Sequence, residues 1–132
     1  MELKAIDILN KFEALSKLAD KETDLSTACI IAKNLKELVV YKDEICKKRD
    51  NLIIRYAEKN EDGGIAQTED GGVKVTDIAS FNKELSELLD TIIEVEISKL
   101  QKNKLFEIKV TAKDILPLVD ILEWWRNKKC TQ

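Results

Sequence analysis

The sequence contains no histidine and only one proline, and aromatic residues make up 5% of its 132 residues. The absence of histidine removes the most common general base, the Ser-His-Asp triad and most zinc sites. The three cysteines are odd in number and widely spaced, which favours free thiols over a disulfide framework. We therefore predict a protein that is not an enzyme, holds no metal and needs no cofactor.

Long apolar runs and an excess of positive charge are also missing. No run approaches the roughly 20 apolar residues that a membrane-spanning helix needs. The amphipathic N-terminal segment carries acids early and is not typical of a secretory signal. A net charge of -3 argues against duplex nucleic acid as the main partner, because phosphate neutralisation needs a basic surface. We expect a cytoplasmic protein with a single domain, residues 1–132, and no membrane partner.

An apolar stripe with alternating steps of three and four residues is the strongest pattern present. Its members are Ala28, Ile31, Leu35, Leu38, Ile45, Leu52 and Tyr56. Only Lys42 and Arg49 interrupt the stripe over about four heptads, so it predicts a long helix that packs along a seam. Asp24 is placed to cap this helix, and its end is expected near Asn60. Such a helix would span roughly 50 Å, longer than a domain of this size is wide, so we expect a homo-oligomer built along it.

Two further amphipathic helices are predicted on either side of the long helix. The first runs from about Glu2 to Asp20, and Lys11 lies outside its apolar row. The second is capped by Asp77 or Ser80, and its apolar face carries Phe81, Leu85, Leu88 and Leu89.

Short β-elements are predicted between and after these helices. A Glu-Asp-Gly-Gly motif at 61–64 returns at 69–72, and both copies are predicted to be solvated. The β-prone runs at 65–68 and 73–76 predict a hairpin with the second Gly pair in its tight turn. Alternating apolar and charged residues predict two strands at 93–97 and 106–110, joined by a polar turn. The predicted fold class is α+β and mainly helical, with a long central helix, small antiparallel hairpins and a C-terminal helix.

The C-terminal segment is predicted to be helical with a bend. Thr111 resembles a capping residue, and Pro117 suits the first turn of a helix better than its interior. We expect one helical turn, a bend and a short helix that ends near Asn127. Its apolar face carries Leu118, Ile121, Leu122 and Trp125.

The charged interruptions of the apolar stripe leave two interpretations open. Lys42 and Arg49 either extend to solvent or pair with an acid on a neighbouring helix, since an unpaired charge on a packing seam is costly. Alternatively, the seam opens into a pocket where Arg49 meets an anion. Arg55 lies six residues later and reaches the same site only through a bend or a second chain.

A cluster of Trp124, Trp125 and Arg126 is the second unusual feature, because it contains both tryptophans of an aromatic-poor chain. In one interpretation, it anchors the C-terminus with a basic last helical turn. In another, an indole face stacks on a base while Arg126 holds a phosphate. The same residues would also suit a protein interface.

Three stretches of the sequence resemble a family of small phage and prophage proteins from low-GC Gram-positive hosts. They are MELKAIDILNKFEALSKLA, IAKNLKELVVYKDEICKKRDNLIIRYAEKNEDGG and FNKELSELLDTIIEVEI, so the resemblance covers residues 1 to about 97. The stretch TAKDILPLVDILEW is a looser match, in a region where the family has a short apolar helix. The resemblance implies a phage origin and action inside an infected host cell, but it implies no activity and no functional residues.

A phage origin favours proteins that act by binding rather than by catalysis, which is an argument by analogy. The leading hypothesis is a counter-defence protein that sequesters a nucleotide-derived immune signal, of the cyclic dinucleotide or cyclic ADP-ribose type, at a subunit interface. The predicted ligand residues supply cations for phosphates and rings for a base: Arg49, Arg55, Tyr56, Trp124, Trp125 and Arg126. The alternative is a protein-binding module that inhibits a host enzyme or assists phage assembly. An exposed apolar patch without an enclosed basic pocket would favour this alternative.

Overall fold

The computed structural model describes residues 1–105 and 108–123. Its helices are α1 (Ala5–Ala19), α2 (Leu25–Tyr56), α3 (Ile78–Leu89) and α4 (Ala112–Ile115). Its strands are β1 (Glu2–Lys4), β2 (Ile92–Glu94), β3 (Leu100–Gln101) and β4 (Leu122–Glu123). Two 3₁₀ helices cover Lys102–Leu105 and Leu116–Ile121. The predicted fold class, α+β and mainly helical with a long central helix, is confirmed.

Two compact units make up the structure, and one boundary between them falls inside α2, after Lys42. The first unit contains residues 1–42 and the described residues from 92 onwards. The second unit contains residues 43–91. The expectation of a single domain over residues 1–132 stays a prediction.

Most of the buried apolar side chains belong to the first unit. They come from its strands and helices and include Leu3, Ile8, Leu15, Leu18, Ile31, Leu38, Val95, Leu100, Leu118 and Ile121. β1 pairs antiparallel with β2, and α1 contacts both α4 and the 3₁₀ helix that follows it. Because Glu2–Lys4 pairs as a strand, α1 begins at Ala5 and not at Glu2 as predicted.

Lys11 is buried, so the prediction that it lies outside the buried face of α1 is wrong. Its side chain is 6% exposed, and its Nζ donates a hydrogen bond to the carbonyl oxygen of Pro117 at 2.8 Å. The same Nζ lies 2.8 Å from Oδ1 of Asp120. The aliphatic stem of a lysine packs like an apolar side chain when its charge is matched in this way. Lys11 therefore holds the C-terminal 3₁₀ helix against α1.

Asp24 caps α2 as predicted, since its Oδ1 accepts a hydrogen bond from the backbone N–H of Thr27 at 2.9 Å. Three members of the apolar stripe are fully buried: Ile31, Leu38 and Ile45. The others range from half-buried to exposed. The long predicted helix is therefore confirmed, but only the middle of its stripe packs as a core.

Asn34 is a fully buried polar residue on α2, with 0% exposure. Its Nδ2 donates to the carbonyl oxygen of Ser98 at 2.8 Å, and its Oδ1 accepts from the N–H of Ser98 at 2.9 Å. One turn along the helix, Oε2 of Glu37 accepts from the N–H of Glu96 at 3.0 Å. These side chains satisfy backbone groups that a neighbouring strand would otherwise pair, so they fix the segment after β2 to α2.

The predicted hairpin between residues 93–97 and 106–110 is wrong. β2 pairs with β1 instead, and residues 108–110 form no strand. β3 pairs in parallel with β4, with Leu100 opposite Leu122. The first two residues of the predicted second strand, at 106 and 107, lie outside the described residues.

Thr111 caps α4 as predicted, since its hydroxyl oxygen accepts from the backbone N–H three residues later at 3.1 Å. Pro117 stands in the first turn of the 3₁₀ helix, where its missing N–H costs little. The predicted apolar face is buried as far as it is described, at Leu118, Ile121 and Leu122. The 3₁₀ helix ends at Ile121, because β4 begins at the next residue. The predicted helix end near Asn127 lies outside the described residues.

The second unit contains three short extended segments that close on one another after α2. The N–H of Glu58 donates a hydrogen bond to the carbonyl oxygen of Lys74. The N–H of Lys74 donates to the carbonyl oxygen of Ala66, and the N–H of Ala66 donates back to the carbonyl oxygen of Glu58, all at 2.8 to 3.0 Å. We call this arrangement the hydrogen-bond ring. Its residues are eight positions apart, so the two Glu-Asp-Gly-Gly motifs occupy equivalent loops. α2 ends at Tyr56 and not near Asn60, because the chain enters the first of these segments.

Both Gly-Gly loops are tight turns, and the second is the one that the sequence predicts. Gly63 and Gly71 have φ angles of 86° and 88°, which favour glycine because a Cβ would clash with the backbone. In each loop, the aspartate accepts a hydrogen bond from the N–H of the second glycine, at 3.0 Å and 3.2 Å. The motif is thus explained by local backbone geometry.

α3 is capped by Asp77, whose Oδ1 accepts from the N–H of Ser80 at 3.2 Å. The structure thereby decides between the two predicted capping residues. The predicted apolar face is present, but none of the residues of α3 is fully buried. α3 therefore keeps part of its apolar surface accessible.

Candidate functional site

An open groove of about 460 Å³ lies between α2 and α3 within the second unit. α2 contributes Lys48, Asn51, Leu52 and Arg55, and α3 and the residues after it contribute Glu84, Glu87, Leu88 and Thr91. The groove therefore has a cationic wall on α2, an anionic wall on α3 and a leucine on each side. We call it the α2–α3 groove.

Arg55 and Glu84 join the two walls of the groove. Nη2 of Arg55 lies 2.8 Å from Oε2 of Glu84, and the two side chains are 58% and 36% exposed. An ion pair this exposed contributes at most about 1 kcal/mol to stability. Oε2 of Glu84 is shielded from solvent, yet the described residues offer it no well-aligned hydrogen bond. The ion pair with Arg55 is therefore the contact that holds this shielded oxygen.

Tyr56 lies beside this pair. The guanidinium of Arg55 is 5.2 Å from the centre of the Tyr56 ring, and the ring of Phe81 meets that of Tyr56 edge-on at 6.0 Å. The pKa of Tyr56 lies above its ordinary value, first because its hydroxyl hydrogen-bonds to Glu84, then because of burial and the negative charge of Glu84. The hydroxyl therefore stays protonated at neutral pH.

Lys48 and Glu87 carry the outer charges of the two walls. Nζ of Lys48 lies 3.2 Å from Oε1 of Glu44, one turn earlier on α2, and both side chains are about 60% exposed. The backbone carbonyl of Glu87 accepts from the hydroxyl of Thr91 at 3.0 Å. No ion pair joins the Glu87 carboxylate to another described residue. Both charges are available to a binding partner at small cost.

The predicted ligand residues are only partly brought together. Arg55 lines the groove and Tyr56 contacts Arg55. Arg49 does not line the groove, and its Nε lies 3.6 Å from Oδ1 of the neighbouring Asp50. The remaining candidates, Trp124, Trp125 and Arg126, lie outside the described residues.

Lys42, the other charged interruption of the stripe, lies in the first unit. Its Nζ is 5.4 Å from the centre of the Phe12 ring, on the neighbouring helix α1. A lysine over an aromatic face is attracted by the negative face of the ring. The charge on the apolar stripe is therefore accommodated by an aromatic ring of α1.

Sequence reasoning missed five polar residues of the groove: Lys48, Asn51, Glu84, Glu87 and Thr91. Their spacing contains a usable signal, because residues three, four or seven apart share one face of a helix. Lys48 and Arg55 are seven apart on α2, and Glu84 and Glu87 are three apart on α3. The spacing does not show that α2 and α3 lie side by side, so it could not identify the groove between them.

Residues 1–105 and 108–123 contain no group of three or more acidic or cysteine side chains placed to hold a metal ion. Within the same residues, no helix is both long and apolar enough to cross a membrane. Comparison with known proteins gives no match to any family model, curated protein or solved structure.

Proposed function

We propose that this chain is a non-catalytic protein-binding module that binds through the α2–α3 groove. The observation that supports the proposal is the form of the groove, which is open and carries opposite charges on its two walls. Small-molecule sites are usually concave and bury most of their ligand. An open, oppositely charged groove with apolar groups suits a segment of a protein, which presents charged and apolar side chains together.

The charges of the groove also weigh against a polyanion as its main ligand. A phosphate at Arg55 would compete with Glu84 for the guanidinium and would face the carboxylate of Glu87. Like charges brought together in a site cost several kcal/mol in unfavourable cases. A protein segment avoids this cost by placing an acid at Lys48 and a base at Glu87.

The resemblance to small phage proteins stays a prediction, and it suggests what the partner is. A host enzyme that the module inhibits, a phage protein whose assembly it assists, and a second copy of the chain are all compatible with the groove. Each would bury Leu52 and Leu88 and meet the outer charges of Lys48 and Glu87.

The test is affinity recovery of a tagged chain that is co-expressed with an untagged copy in a low-GC Gram-positive host, with Leu88→Glu as the groove variant. Leu25→Glu is the matched control, because Leu25 is 80% exposed and lies outside the groove. We expect a protein that is recovered with the wild type and the control and is lost with the groove variant. Recovery that is equal for all three folded proteins would contradict the proposal.

Sequestration of a nucleotide-derived signal is the second candidate function, and the Arg55–Tyr56 contact favours it. A cation next to an aromatic ring is a common means of holding a phosphate beside a base. Equilibrium dialysis with a cyclic dinucleotide and with a cyclic ADP-ribose tests this function. We expect binding at micromolar concentration that Arg55→Ala abolishes and Arg49→Ala preserves, since Arg49 lies outside the groove. Absence of binding by the wild type would remove this candidate.

A further inference from the structure

We propose that the partner in the α2–α3 groove is a second copy of this chain, bound in a two-fold symmetric dimer. This inference rests on the proposed function, because it assumes that the groove binds protein. It goes further by naming the occupant and the residues that would meet across the interface.

The argument starts from the distribution of charge. One wall of the groove carries Lys48 and Arg55, and the other carries Glu84 and Glu87. A two-fold axis that runs along the groove places the cationic wall of one protomer over the anionic wall of its partner. In such an isologous contact, every attraction occurs twice, because residue i meets j and j meets i. A groove with one wall of each sign is therefore complementary to itself.

The charges that would carry the contact can be identified. Arg55 and Glu84 already pair within one chain at 2.8 Å, which leaves Lys48 and Glu87 as the outer charges of the two walls. Lys48 lies two turns before Arg55 on α2, and Glu87 lies one turn after Glu84 on α3. The proposed dimer places Lys48 of one protomer against Glu87 of its partner, in two equivalent pairs.

Apolar surface of the second unit supplies the rest of the contact. Leu52 and Leu88 lie in the groove and are half-buried within one chain. Ile54, one helical turn beyond Asn51 on α2, is 51% exposed. A stable dimer buries about 800 Å² on each partner, more than two leucines supply, so the contact must extend along α2 towards this isoleucine.

Charge reversal in sedimentation equilibrium tests the proposal. We expect the wild type to have twice the mass of one chain at micromolar concentration. Lys48→Glu and Glu87→Lys should each weaken the dimer by about tenfold or more, because each creates two like-charge contacts. Lys47→Glu and Glu61→Lys are the matched controls, since both residues are exposed and lie outside the groove, and they should leave the dimer unchanged.

Mixing the two reversed variants gives the sharpest result. In a heterodimer of Lys48→Glu with Glu87→Lys, both cross-contacts again join opposite charges, so we expect the mixture to recover the wild-type dissociation constant within about threefold. The double variant in one chain should recover a homodimer for the same reason. A reversal of one charge that is not rescued by the other would contradict the assigned pair.

The outcome also separates this inference from the proposed function. A wild-type chain that is monomeric at every accessible concentration, while Leu88→Glu still loses a different recovered protein, overturns the dimer and keeps the protein-binding function. A monomer that recovers no protein in a groove-dependent way overturns both.

Discussion

The two units of this protein reach their structures by different means. The first unit has a core of fully buried side chains and uses Lys11 and Asn34 to satisfy buried backbone groups. Among the described residues of the second unit, only Ile45, Ala57 and Ala66 are buried apolar side chains. Its segments are held by local backbone hydrogen bonds and tight turns, and its α2–α3 groove remains open.

This difference in burial indicates which unit keeps apolar surface for a binding partner. A side chain that is buried in a core contributes to stability and is no longer available to a partner. The half-buried leucines of α2 and α3 contribute less to the fold and keep part of their apolar area for binding. Stability and binding are thus divided between the two units. Substitutions in each unit test that division.

Leu118→Ala should have the largest effect, because Leu118 has no exposed surface in the first unit. Truncation of a buried leucine costs about 2–5 kcal/mol, from lost burial and from the cavity left behind. Leu85→Ala on the half-buried face of α3 is the matched change and should cost about 1 kcal/mol. Urea unfolding followed by circular dichroism measures both. Equal losses of unfolding free energy for the two variants would show that buried side chains do not stabilise the first unit more than half-buried ones stabilise the second.

Asn34→Ala should cost about 1–3 kcal/mol, because it leaves the N–H and the carbonyl of Ser98 without partners. Asn51→Ala on the same helix is the control, and it should change the free energy of unfolding by less than about 0.5 kcal/mol because Asn51 is exposed. The same unfolding experiment applies. A small loss for Asn34→Ala would mean that water replaces the amide.

Gly71→Ala should cost about 1–2 kcal/mol, because φ at this position is 88° and a Cβ is strained there. Beyond the glycine itself and its two chain neighbours, no atom lies within 4 Å of the added Cβ, so the cost comes from the local backbone conformation. Gly71→Asn should lose less, since asparagine tolerates positive φ better than alanine. Thermal unfolding of the two variants measures the difference. Equal losses would argue that φ is not the cause.

The smallest effect concerns pH and the helix cap Asp77. Hydrogen bonds from Ser80, first from its hydroxyl and then from its N–H, hold the pKa of Asp77 below its ordinary value. Because the pKa of Asp77 is lower in the folded protein than in the unfolded chain, where it is about 3.9, the ionised carboxylate stabilises the fold at pH values above about 3.9. This stability is lost as the pH falls through the pKa of the folded state. Asp77→Asn keeps a capping oxygen, so the free energy of unfolding at pH 7 should hardly change. At acidic pH, the free energy of unfolding should fall less steeply with decreasing pH than it does in the wild type; we call this fall the acid-side decline. Unfolding midpoints at several acidic pH values measure this slope.

Asp24→Asn gives the corresponding measurement on the cap of α2. The pKa of Asp24 is also lowered, first by the hydroxyl of Thr27 and then by its backbone N–H. The two caps are alike, so the two variants should flatten the acid-side decline in the same way. A decline that flattens for one variant alone would show that only that cap contributes to acid stability.

The features that follow from local sequence were predicted well. The start of α2, the caps at Asp24, Asp77 and Thr111, and the glycine loop at 71–72 each depend on residues close in the chain. A capping aspartate or a glycine at positive φ acts on its own neighbours, so its effect is visible without knowledge of the fold.

The features that depend on distant partners were missed. The alternation at 93–97 was consistent with a strand, but it contains no information on whether β1 or a later segment pairs with it. Lys11 was predicted to lie outside the apolar row, and Asn34 was not singled out at all. Only their partners at Pro117 and Ser98 explain their burial, because polar residues are usually exposed. The groove was missed for the same reason, since its two walls come from different helices.

The hydrogen-bond ring also bears on whether another chain can add a strand to this segment. Each of its three residues occupies the same position in an eight-residue period, and each both donates to and accepts from another member. A strand at the edge of a sheet adds a further strand through its unpaired N–H and carbonyl groups. The N–H and carbonyl groups of Glu58, Ala66 and Lys74 are already used within the ring, so these three residues offer no such edge to a second chain.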